Sequence, residues 1–389
     1  MAHEATGGKD VDVLVIGAGI IGASCAFHAA DDGRSVAIVE SASSYAEGST
    51  GRSFASVRAQ WSDPVNIALS WRSIERFRDF ARDHGIDVGY RPTGYLFLFP
   101  EQTWEKHLEA VALQRSFGVP VEILDVAEAQ RLSPFNSVGV AGATWGPEDG
   151  QVDPHGATQA FLTLARARGA RVYFNAPVSA VEARSDESWS VTAGDHTFRT
   201  QHIVNAAGGW SAAVAQLAGI DVPVVHSRRN VYATAAGSCR EPVPMTIDIA
   251  GGTAVRSEGD RLLFYAGHDP NQRDGYDVSV DFAWMETILE IAVERFPYLA
   301  DMPLDDRAAW AGTYDMSPDR NAIVGPDPTH ETWIHACGFS GHGVMQAPEV
   351  GRIVAECLGR GRIDSVDGAA LSIARFAGTC AGDSTGMVV

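Results

Sequence analysis

The chain has 389 residues, of which 45% are hydrophobic and 20% are charged, and its formal net charge is −19 at pH 7. The length predicts two domains, and the composition is that of an ordinary globular protein. An acidic surface repels a phosphate backbone, which argues against a nucleic-acid partner. No apolar run approaches the roughly 20 residues of a membrane span, so we expect no membrane contact.

The start of the chain is polar and lacks the basic-then-apolar order of a signal peptide. We therefore expect a frayed tail there and a cytoplasmic location. The cysteines are scattered and form no C-x-x-C pair, which argues against a zinc site, an iron–sulfur cluster or a redox dithiol. Reduced, buried thiols are expected at Cys25, Cys239, Cys337, Cys357 and Cys380.

The first elements form an α/β pattern. Residues 11–16 are a short apolar run that ends at a glycine, as in a buried parallel strand. Residues 20–32 predict a helix and residues 35–40 a second strand, which together make a βαβ unit. Apolar residues at helical spacing predict amphipathic helices at 65–84 and 103–117.

The middle of the chain returns to this pattern. It predicts a helix at 156–168, a strand at 171–175 and a short apolar strand at 203–206. Val191 and Phe198 mark a weakly alternating hairpin between the last two strands. These segments are expected to join the first sheet.

The pattern changes after residue 222. Between 223 and 280, alternating apolar residues and polar turn clusters predict an antiparallel sheet. A helix at 281–296 is expected to cover it, and a final helix is predicted at 349–358. The predicted fold is therefore α/β, with a Rossmann-like parallel sheet and a second domain with a mainly antiparallel sheet and helices.

A glycine motif connects the first predicted strand and helix. It consists of Gly17, Ala18, Gly19, Ile20, Ile21 and Gly22. The first glycine permits a tight turn, the second lets the backbone approach a pyrophosphate, and the third lets helix and strand pack closely. The pyrophosphate would lie at the helix N-terminus, where free N–H groups favour an anion. Glu40 ends the second strand, and its carboxylate can accept hydrogen bonds from ribose hydroxyls, which argues against NADP.

Two further loops favour FAD over NAD. The loop after the second strand is rich in glycine and hydroxyl groups, and its expected cofactor contacts are Ser41, Ser49, Thr50, Arg52 and Ser53. The second loop precedes a predicted helix, whose N-terminus favours the negative charge of a reduced flavin. It consists of Gly338, Phe339, Ser340, Gly341, His342 and Gly343. Because the chain has no second G-x-G-x-x-G motif for NAD(P)H, we expect the electrons to come from the substrate.

With these motifs the chain resembles the D-amino-acid oxidase superfamily, and most closely its sarcosine oxidase, dimethylglycine dehydrogenase and glycine oxidase branch. The resemblance runs over nearly the whole chain. It is carried by VIGAGIIG at 15–22, GSTGRS at 48–53, NAAGGW at 205–210, WAG at 310–312, PDRN at 318–321, VG at 324–325 and GFSGHG at 338–343.

The resemblance implies a discontinuous FAD-binding domain at 1–80, 146–222 and 310–389, and a substrate domain at 81–145 and 223–309. It implies hydride transfer from a carbon next to nitrogen to flavin N5, hydrolysis of the imine, and reoxidation by oxygen or another acceptor. Further expected FAD contacts are Val178, Ala206, Ala207, Gly208, Trp210, Gly312, Val344 and Met345. The protein is expected to be a monomer or a homo-oligomer.

Several positions depart from the pattern of these families. Gly312 stands where monomeric sarcosine oxidases carry the cysteine that tethers FAD. The first loop has no histidine of the kind that tethers FAD in dimethylglycine dehydrogenases, so we expect non-covalent FAD. Met345 stands where sarcosine oxidases place a carboxylate-binding lysine. The only lysines are Lys9 and Lys106, so an arginine or histidine supplies the charge that assists oxygen, or oxygen is not the efficient acceptor.

The expected substrate and catalytic residues come from the same comparison. Arg58 resembles the family's carboxylate-binding arginine, and arginine can bind a carboxylate bidentately; the alternative is a surface or phosphate contact. Tyr314 matches the sarcosine oxidases and can donate to the substrate or shape an aromatic wall. Arg256 lies on a predicted strand and can face the cavity or away from it. His342 can polarise the flavin or act as a base, or have only a backbone role.

Other side chains are interpreted as structural. These are His226, His268, the pair Arg228 and Arg229, and the aromatic residues Trp61 and Tyr95, which can also line a pocket. Oxidation of an amine needs a neutral amine aligned with the flavin, whereas oxidation of a hydroxyl needs a base with a pKa near 7. The absence of a clear general base is therefore no objection to amine oxidation, and the resemblance implies an amine or amino acid as the substrate. A 2-hydroxyacid dehydrogenase and a non-catalytic flavin-binding assembly protein are the alternatives.

Overall fold

The computed structural model describes residues 9–266 and 275–377. His268 and Cys380, named above, lie outside the described residues. Within these ranges the chain forms two eight-stranded sheets and one two-stranded ladder. This arrangement confirms the predicted α/β fold class; both sheets are mixed, one with a parallel centre and one mainly antiparallel. No helix in the described ranges has the length and apolar character needed to span a membrane.

The first sheet has a parallel centre. Its main order is β17-β18-β11-β1-β2-β8, with β10 and β9 joined beside β11. Its strands are β1 (Lys9–Ile16), β2 (Val36–Val39), β8 (Arg171–Tyr173), β9 (Val178–Ala183), β10 (Trp189–Ala193), β11 (His196–Asn205), β17 (Ile323–Pro326) and β18 (Trp333–Cys337). All residues of β2 are buried, as expected for a strand covered by helices on both faces.

The strand β11 is longer than predicted. The sequence indicates a hairpin strand near Phe198 and a separate strand at 203–206, whereas the structure has one strand of 10 residues. Residues 198–205 pair parallel with β1, while on the other edge residues 196–200 pair antiparallel with β10 and residues 203–205 pair parallel with β18. Polar residues in its exposed part interrupt the apolar run, which made one strand resemble two.

The second sheet has the order β16-β12-β15-β14-β13-β4-β6-β5, and only its β13–β4 pair is parallel among the described strands. Its strands are β4 (Tyr95–Phe99), β5 (Glu122–Leu124), β6 (Gly142–Gly146), β12 (Val225–Ala233), β13 (Met245–Asp248), β14 (Thr253–Glu258), β15 (Arg261–Ala266) and β16 (Trp310–Met316). The strand β16 belongs to this sheet, although the predicted FAD segment begins at residue 310. A short ladder joins β3 (Ser56–Val57) to β7 (Gly150–Gln151).

Helices cover the sheets. The α-helices of the described residues are α1 (Ile20–Asp31), α2 (Pro64–His84), α3 (Glu101–Ser116), α4 (Val126–Leu132), α5 (Pro154–Ala167), α6 (Ser211–Gln216), α7 (Phe282–Arg295), α8 (Gly343–Arg360) and α9 (Gly368–Leu371). Short 3-10 turns occur at Thr50–Arg52, Gly208–Trp210, Pro297–Asp301, Asp306–Ala308 and Ile373–Phe376. The predicted helices are found with ends shifted by a few residues, except α8.

Helix α8 begins at Gly343 and not at the predicted residue 349. Pro348 lies inside it, and a proline removes one helical hydrogen bond, which made a later start plausible. Close packing against α1 offsets this loss, because a Cβ at Gly351 would lie 2.2 Å from Ser24 Oγ. The earlier start places the N-terminus of α8 directly after the second glycine loop.

Glu349 is a fully buried acid that joins α8 to α2. Its carboxylate accepts hydrogen bonds from Arg72 at 3.3 Å, Arg76 at 3.1 Å and Arg352 at 2.8 Å. Burial alone raises the pKa of Glu349, but these arginines hold it below its ordinary value. A buried carboxylate with such partners is costly to disrupt, because the partners lose their counter-charge at a helix contact.

We expect Glu349→Ala to lower the free energy of unfolding by about 1.5–3 kcal/mol, because it removes a buried acceptor of charged hydrogen bonds from arginines that are themselves partly exposed. Asp87→Asn is the matched control. It breaks an exposed ion pair with Arg91, which is worth about 0–1 kcal/mol. Urea unfolding of both variants measures the difference. Equal losses of stability in the two variants would contradict this role of Glu349.

Candidate functional site

A cavity of about 700 Å³ extends from the first sheet to the second. It begins at the carboxyl ends of the parallel strands, where Ile16, Val39 and Ala206 line it. Ligands of open α/β sheets bind at this edge. From there the cavity passes the loop at 46–54 and reaches β12, β15, β16 and the start of α8. Its volume falls within the range of about 300–1,000 Å³ that is usual for a ligand site.

The turn between β1 and α1 presses against the end of β11. Gly17 has a φ of +105°, and a Cβ there would lie 2.5 Å from Ala206 O. A Cβ at Gly22 would lie 2.0 Å from Gly17 O. These contacts require glycine, and they open the N-terminus of α1 onto the cavity, where Gly19 and Ile20 line it.

Glu40 is held at the same end of the cavity by three hydrogen bonds. Its Oε2 accepts from Ala18 N at 2.7 Å. Its Oε1 accepts from Ala42 N at 2.9 Å and from Ser41 Oγ at 3.1 Å. A carboxylate has about four acceptor sites and three are used, so Oε2 can still accept one hydrogen bond from a ribose hydroxyl.

The loop after β2 lies across the helix N-terminus. Thr50 Oγ1 accepts from Ile20 N at 3.2 Å. Arg52 donates to Ala311 O at 3.4 Å, and its buried Nε has no hydrogen-bond partner among the described residues. A Cβ at Gly312 would lie 2.9 Å from Arg52 Cβ, so no side chain fits there without movement. The glycine turn, the fixed carboxylate and the unpartnered Arg52 Nε fit a bound FAD.

The second sheet supplies the other wall of the cavity. Pairing of β12 with β16 sets Ser227 opposite Tyr314 and Arg229 opposite Gly312. The Arg229 guanidinium lies 5.0 Å from the centre of the Tyr314 ring. Arg229 is predicted from sequence to form a solvated pair or a structural contact with Arg228, yet it lines the cavity. Alternation along β12, which puts 227, 229 and 231 on one face, was the signal that could have found it.

Two aromatic residues of this wall were not predicted from the sequence. Tyr265 and Phe54 line the cavity with ring centres 5.0 Å apart. Burial raises the pKa of the Tyr314 phenol, while the Arg229 and Arg58 charges act in the opposite direction. Burial also raises the pKa of Tyr265 well above its ordinary value. Both phenols are therefore neutral and can donate hydrogen bonds.

Arg58 is 3% exposed and lies beside these phenols. Its Nη1 donates to Gln60 O at 2.8 Å, and its guanidinium stacks 3.6 Å from the centre of a Trp61 ring. No ion pair in the described ranges includes Arg58. Burial lowers the pKa of Arg58, and Tyr265 and Tyr314 are among the groups that act in the opposite direction. A buried positive charge without a carboxylate partner is suited to an anionic ligand.

Arg58 lines a small second cavity of about 20 Å³. His342 lines it and packs edge-on against Trp61 with ring centres 4.4 Å apart. Burial, followed by the Arg58 charge, lowers the pKa of His342 to about 3. His342 is therefore neutral at physiological pH and is a weak base.

The structure brings most of the predicted residues to the large cavity. They are Gly17, Gly19, Ile20, Ile21, Glu40, Ser41, Ser49, Thr50, Arg52, Ser53, Val178, Ala206, Ala207, Gly208, Trp210, Gly312, Tyr314, Phe339, Gly341, Gly343 and Val344. The sequence analysis missed, among others, Phe54, Arg229, Asn230, Tyr265 and Tyr276. Several missed residues lie on β12 and β15, where sequence alone does not show which face is covered.

Other predicted residues do not line the large cavity: Ala18, Gly22, Arg58, Arg256, Gly338, Ser340, His342 and Met345. Arg256 differs most from its expected role, because its guanidinium bonds Gln151 and Phe54 O and faces neither cavity. Met345, on the first turn of α8, is 6% exposed and packs in the hydrophobic core. It does not line the large cavity, where a substrate contact was expected. His226 bonds Thr313 Oγ1 at 3.1 Å, as expected of a structural histidine.

Comparisons with known proteins identify relatives of the whole chain. A profile of the DAO family, described as FAD dependent oxidoreductase, matches residues 12–357. FAD-dependent oxidoreductase domain-containing protein 1 of Bos taurus is 30% identical, covering 94% of this chain and 84% of its own length. Sarcosine dehydrogenase of Homo sapiens is 26% identical to this chain. The match covers 90% of this chain and 40% of that protein.

Solved structures give the same result. L-proline dehydrogenase from P. horikoshii superimposes with a TM-score of 0.87 at 26% identity, covering 95% of this chain and 98% of that one. Glycine oxidase from Geobacillus kaustophilus superimposes with a TM-score of 0.81 at 24% identity, covering 94% and 99%. The second likeness shows the fold alone.

We expect Glu40→Ala to weaken FAD binding by about tenfold to 100-fold, because it removes charged hydrogen bonds worth about 1.5–3 kcal/mol. Titration of the apoprotein with FAD measures the dissociation constant. Glu40→Gln, which keeps one acceptor oxygen, should lie between the wild type and Glu40→Ala. Unchanged affinity in Glu40→Ala would contradict the placement of the ribose at Glu40.

Proposed function

Because the chain belongs to the DAO family of FAD-dependent oxidoreductases, we propose that it oxidises the carbon–nitrogen bond of an amino acid or related amine. When bound, FAD accepts the hydride that leaves the carbon next to nitrogen. The observation that carries the choice of substrate is Arg58, a buried guanidinium that forms no direct ion pair among the described residues and interacts with phenols that line the FAD cavity. We propose that it binds the substrate carboxylate.

In this proposal Arg58 binds and orients the carboxylate. One of its nitrogens is already held by Gln60 O, and the others can form a bidentate contact, which is stronger than a neutral hydrogen bond. The site is buried, so the charge interaction is screened less than at a surface. Tyr265 and Tyr314 line the large cavity and interact electrostatically with Arg58, so we propose that their neutral phenols donate to the same carboxylate.

The same groups favour an amine over a hydroxyl as the reacting group. A neutral amine needs only alignment, whereas a hydroxyl needs a base with a pKa near 7. His342 is the predicted base, but its pKa of about 3 makes it a poor proton acceptor. Burial also lowers the pKa of His226. This argues against the 2-hydroxyacid alternative.

Two relatives help to order the candidate substrates. One is a sarcosine dehydrogenase and another an L-proline dehydrogenase, and both names refer to secondary α-amino acids. We therefore place secondary amino acids first. Neither lysine reaches the cavity: Lys9 bonds His196 and Lys106 is exposed on α3. The electron acceptor, the non-covalent attachment of FAD and the cytoplasmic location stay predictions.

The direct test is anaerobic mixing of the FAD-loaded protein with secondary and primary amino acids, matched amines without a carboxylate, and 2-hydroxyacids. Loss of flavin absorbance with an amino acid, and not with the matched amine, supports the proposal. Reduction only by a hydroxyacid would replace it with the second function. No reduction by any compound would favour a non-catalytic flavoprotein. Admitting air then shows whether oxygen is the acceptor.

We expect Arg58→Met to raise KM for the amino acid by about tenfold to 100-fold. This corresponds to the loss of a charged hydrogen-bond contact worth about 1.5–3 kcal/mol. Arg58→Lys should restore it only in part, because a lysine cannot form the bidentate contact. Arg115→Met, which removes an arginine bound to Val121 O, is the control. Steady-state kinetics would contradict the role of Arg58 if both methionine variants kept the wild-type KM.

A further inference from the structure

Asp149 is a buried acid behind Arg58 that the reaction described above does not use. Its side chain is 1% exposed. Its Oδ1 accepts from Ala59 N at 2.8 Å, and its Oδ2 accepts from Gln60 Nε2 at 2.9 Å. Gln60 O in turn accepts from Arg58 at 2.8 Å. The carboxyl of Asp149 therefore holds the backbone segment that holds the guanidinium.

The local fold is built around this contact. The ladder of β3 with β7 pairs Val57 with Gly150 and so brings Asp149 beside the residues that follow β3. A Cβ at Gly146 would lie 2.2 Å from Asp149 Oδ2 and 2.7 Å from Gln60 Nε2. The turn at Gly146 thus accommodates the pair only because it has no side chain.

A chain of hydrogen bonds extends from Asp149 into the second sheet. Thr144 Oγ1 donates to Gln60 Oε1 at 2.8 Å, and His107 Nε2 lies 3.1 Å from Thr144 Oγ1. The chain can run in either direction, because a hydroxyl, an amide and an imidazole each both donate and accept. Rotation of the Gln60 amide lets a protonated Asp149 donate to Gln60 and Thr144 donate to His107. This rotation gives up the hydrogen bond that Gln60 Nε2 donates to Tyr95 O at 3.2 Å, so the neutral form of Asp149 costs one hydrogen bond that the charged form keeps.

The charges around Asp149 are few. Burial raises the pKa of Asp149 to about 7, while hydrogen bonds from Gln60 and Ala59 and the Arg58 charge act in the opposite direction. Glu148 adds a smaller upward effect. The other titratable groups that face Asp149 or Arg58 are kept neutral by burial: Tyr90, Tyr95, Tyr265, Tyr314, His107 and His342. Asp149 is the acid among the causes that act on the pKa of Arg58.

We propose that Asp149 is a positioning residue that sets how strongly Arg58 binds a carboxylate. It fixes the guanidinium through Gln60, and its own charge decides how much of the Arg58 charge is left for a ligand. The inference rests on the proposed function, because it takes Arg58 as the carboxylate-binding group. It adds a pH dependence that the binding contact alone does not have.

The charges of Asp149 and Arg58 determine the direction in which anion affinity changes with pH. A protonated Asp149 leaves the Arg58 charge uncompensated, so an anion binds tightly. An ionised Asp149 repels the anion, so binding weakens as the pH rises through the pKa of Asp149 in the free protein, at about 7. By linkage, a bound anion raises the pKa of Asp149 by the same coupling free energy.

The test uses the FAD-loaded protein and benzoate, an unreactive carboxylate that is read out by perturbation of the flavin spectrum. Wild-type affinity should fall by about tenfold between pH 6 and pH 9. Asp149→Asn, which keeps the shape and uses the rotated Gln60 amide, should bind tightly and independently of pH over this window. Glu148→Gln removes a neighbouring, partly exposed acid and should keep the wild-type profile with a slightly lower midpoint.

A flat wild-type profile would overturn the proposal without any variant. So would an Asp149→Asn protein that keeps its FAD and its melting temperature but retains the wild-type pH profile. Because benzoate binding requires no turnover, these results are separable from a failure of the proposed function. A protein that binds benzoate as expected but is reduced by no amino acid would refute the function and leave the coupling of Asp149 to Arg58 intact.

Discussion

The site is organised around a buried positive charge that forms no direct ion pair among the described residues, the buried acid Asp149 acting on it from behind Gln60. A guanidinium removed from water is costly unless its N–H groups are bonded and its charge is used. Arg58 has one backbone acceptor, an aromatic face in Trp61 and neutral phenols beside it. The ladder of β3 with β7 holds its backbone in place. In the function proposed here, this charge binds the carboxylate of the substrate.

The two sheets line opposite ends of one cavity and contribute different residues to it. The first sheet supplies the glycine turn at Gly17 and the fixed carboxylate of Glu40, which suit the nucleotide end of FAD. The second sheet supplies Tyr265, Tyr314 and Arg229 at the other end. The strand β16 and the N-terminus of α8 lie where the two parts meet, so the reacting groups are placed by elements that are distant in sequence.

The sequence predicts well what is set by neighbours in the chain. The glycine motif and Glu40 lie within one βαβ unit, and the glycines have local steric reasons that the structure shows directly. For Arg229, the neighbouring residues in the chain do not show which face of β12 is covered. Its position in the wall depends on the pairing of β12 with β16, whose residues are far apart in sequence. For Arg256, alternation along β14 does not show whether the side chain faces the cavity. In the structure its guanidinium bonds Gln151. The start of α8 was missed because packing outweighs the local effect of Pro348.

The central claim is that the Arg58 guanidinium binds a substrate carboxylate. A crystal structure of the FAD-loaded protein with bound benzoate tests it most directly. The account predicts both carboxylate oxygens within hydrogen-bond distance of Arg58, with a phenol of Tyr265 or Tyr314 donating to one of them. A carboxylate bound at Arg229 or elsewhere, with the Arg58 guanidinium bonded only to Gln60 O, would contradict the account.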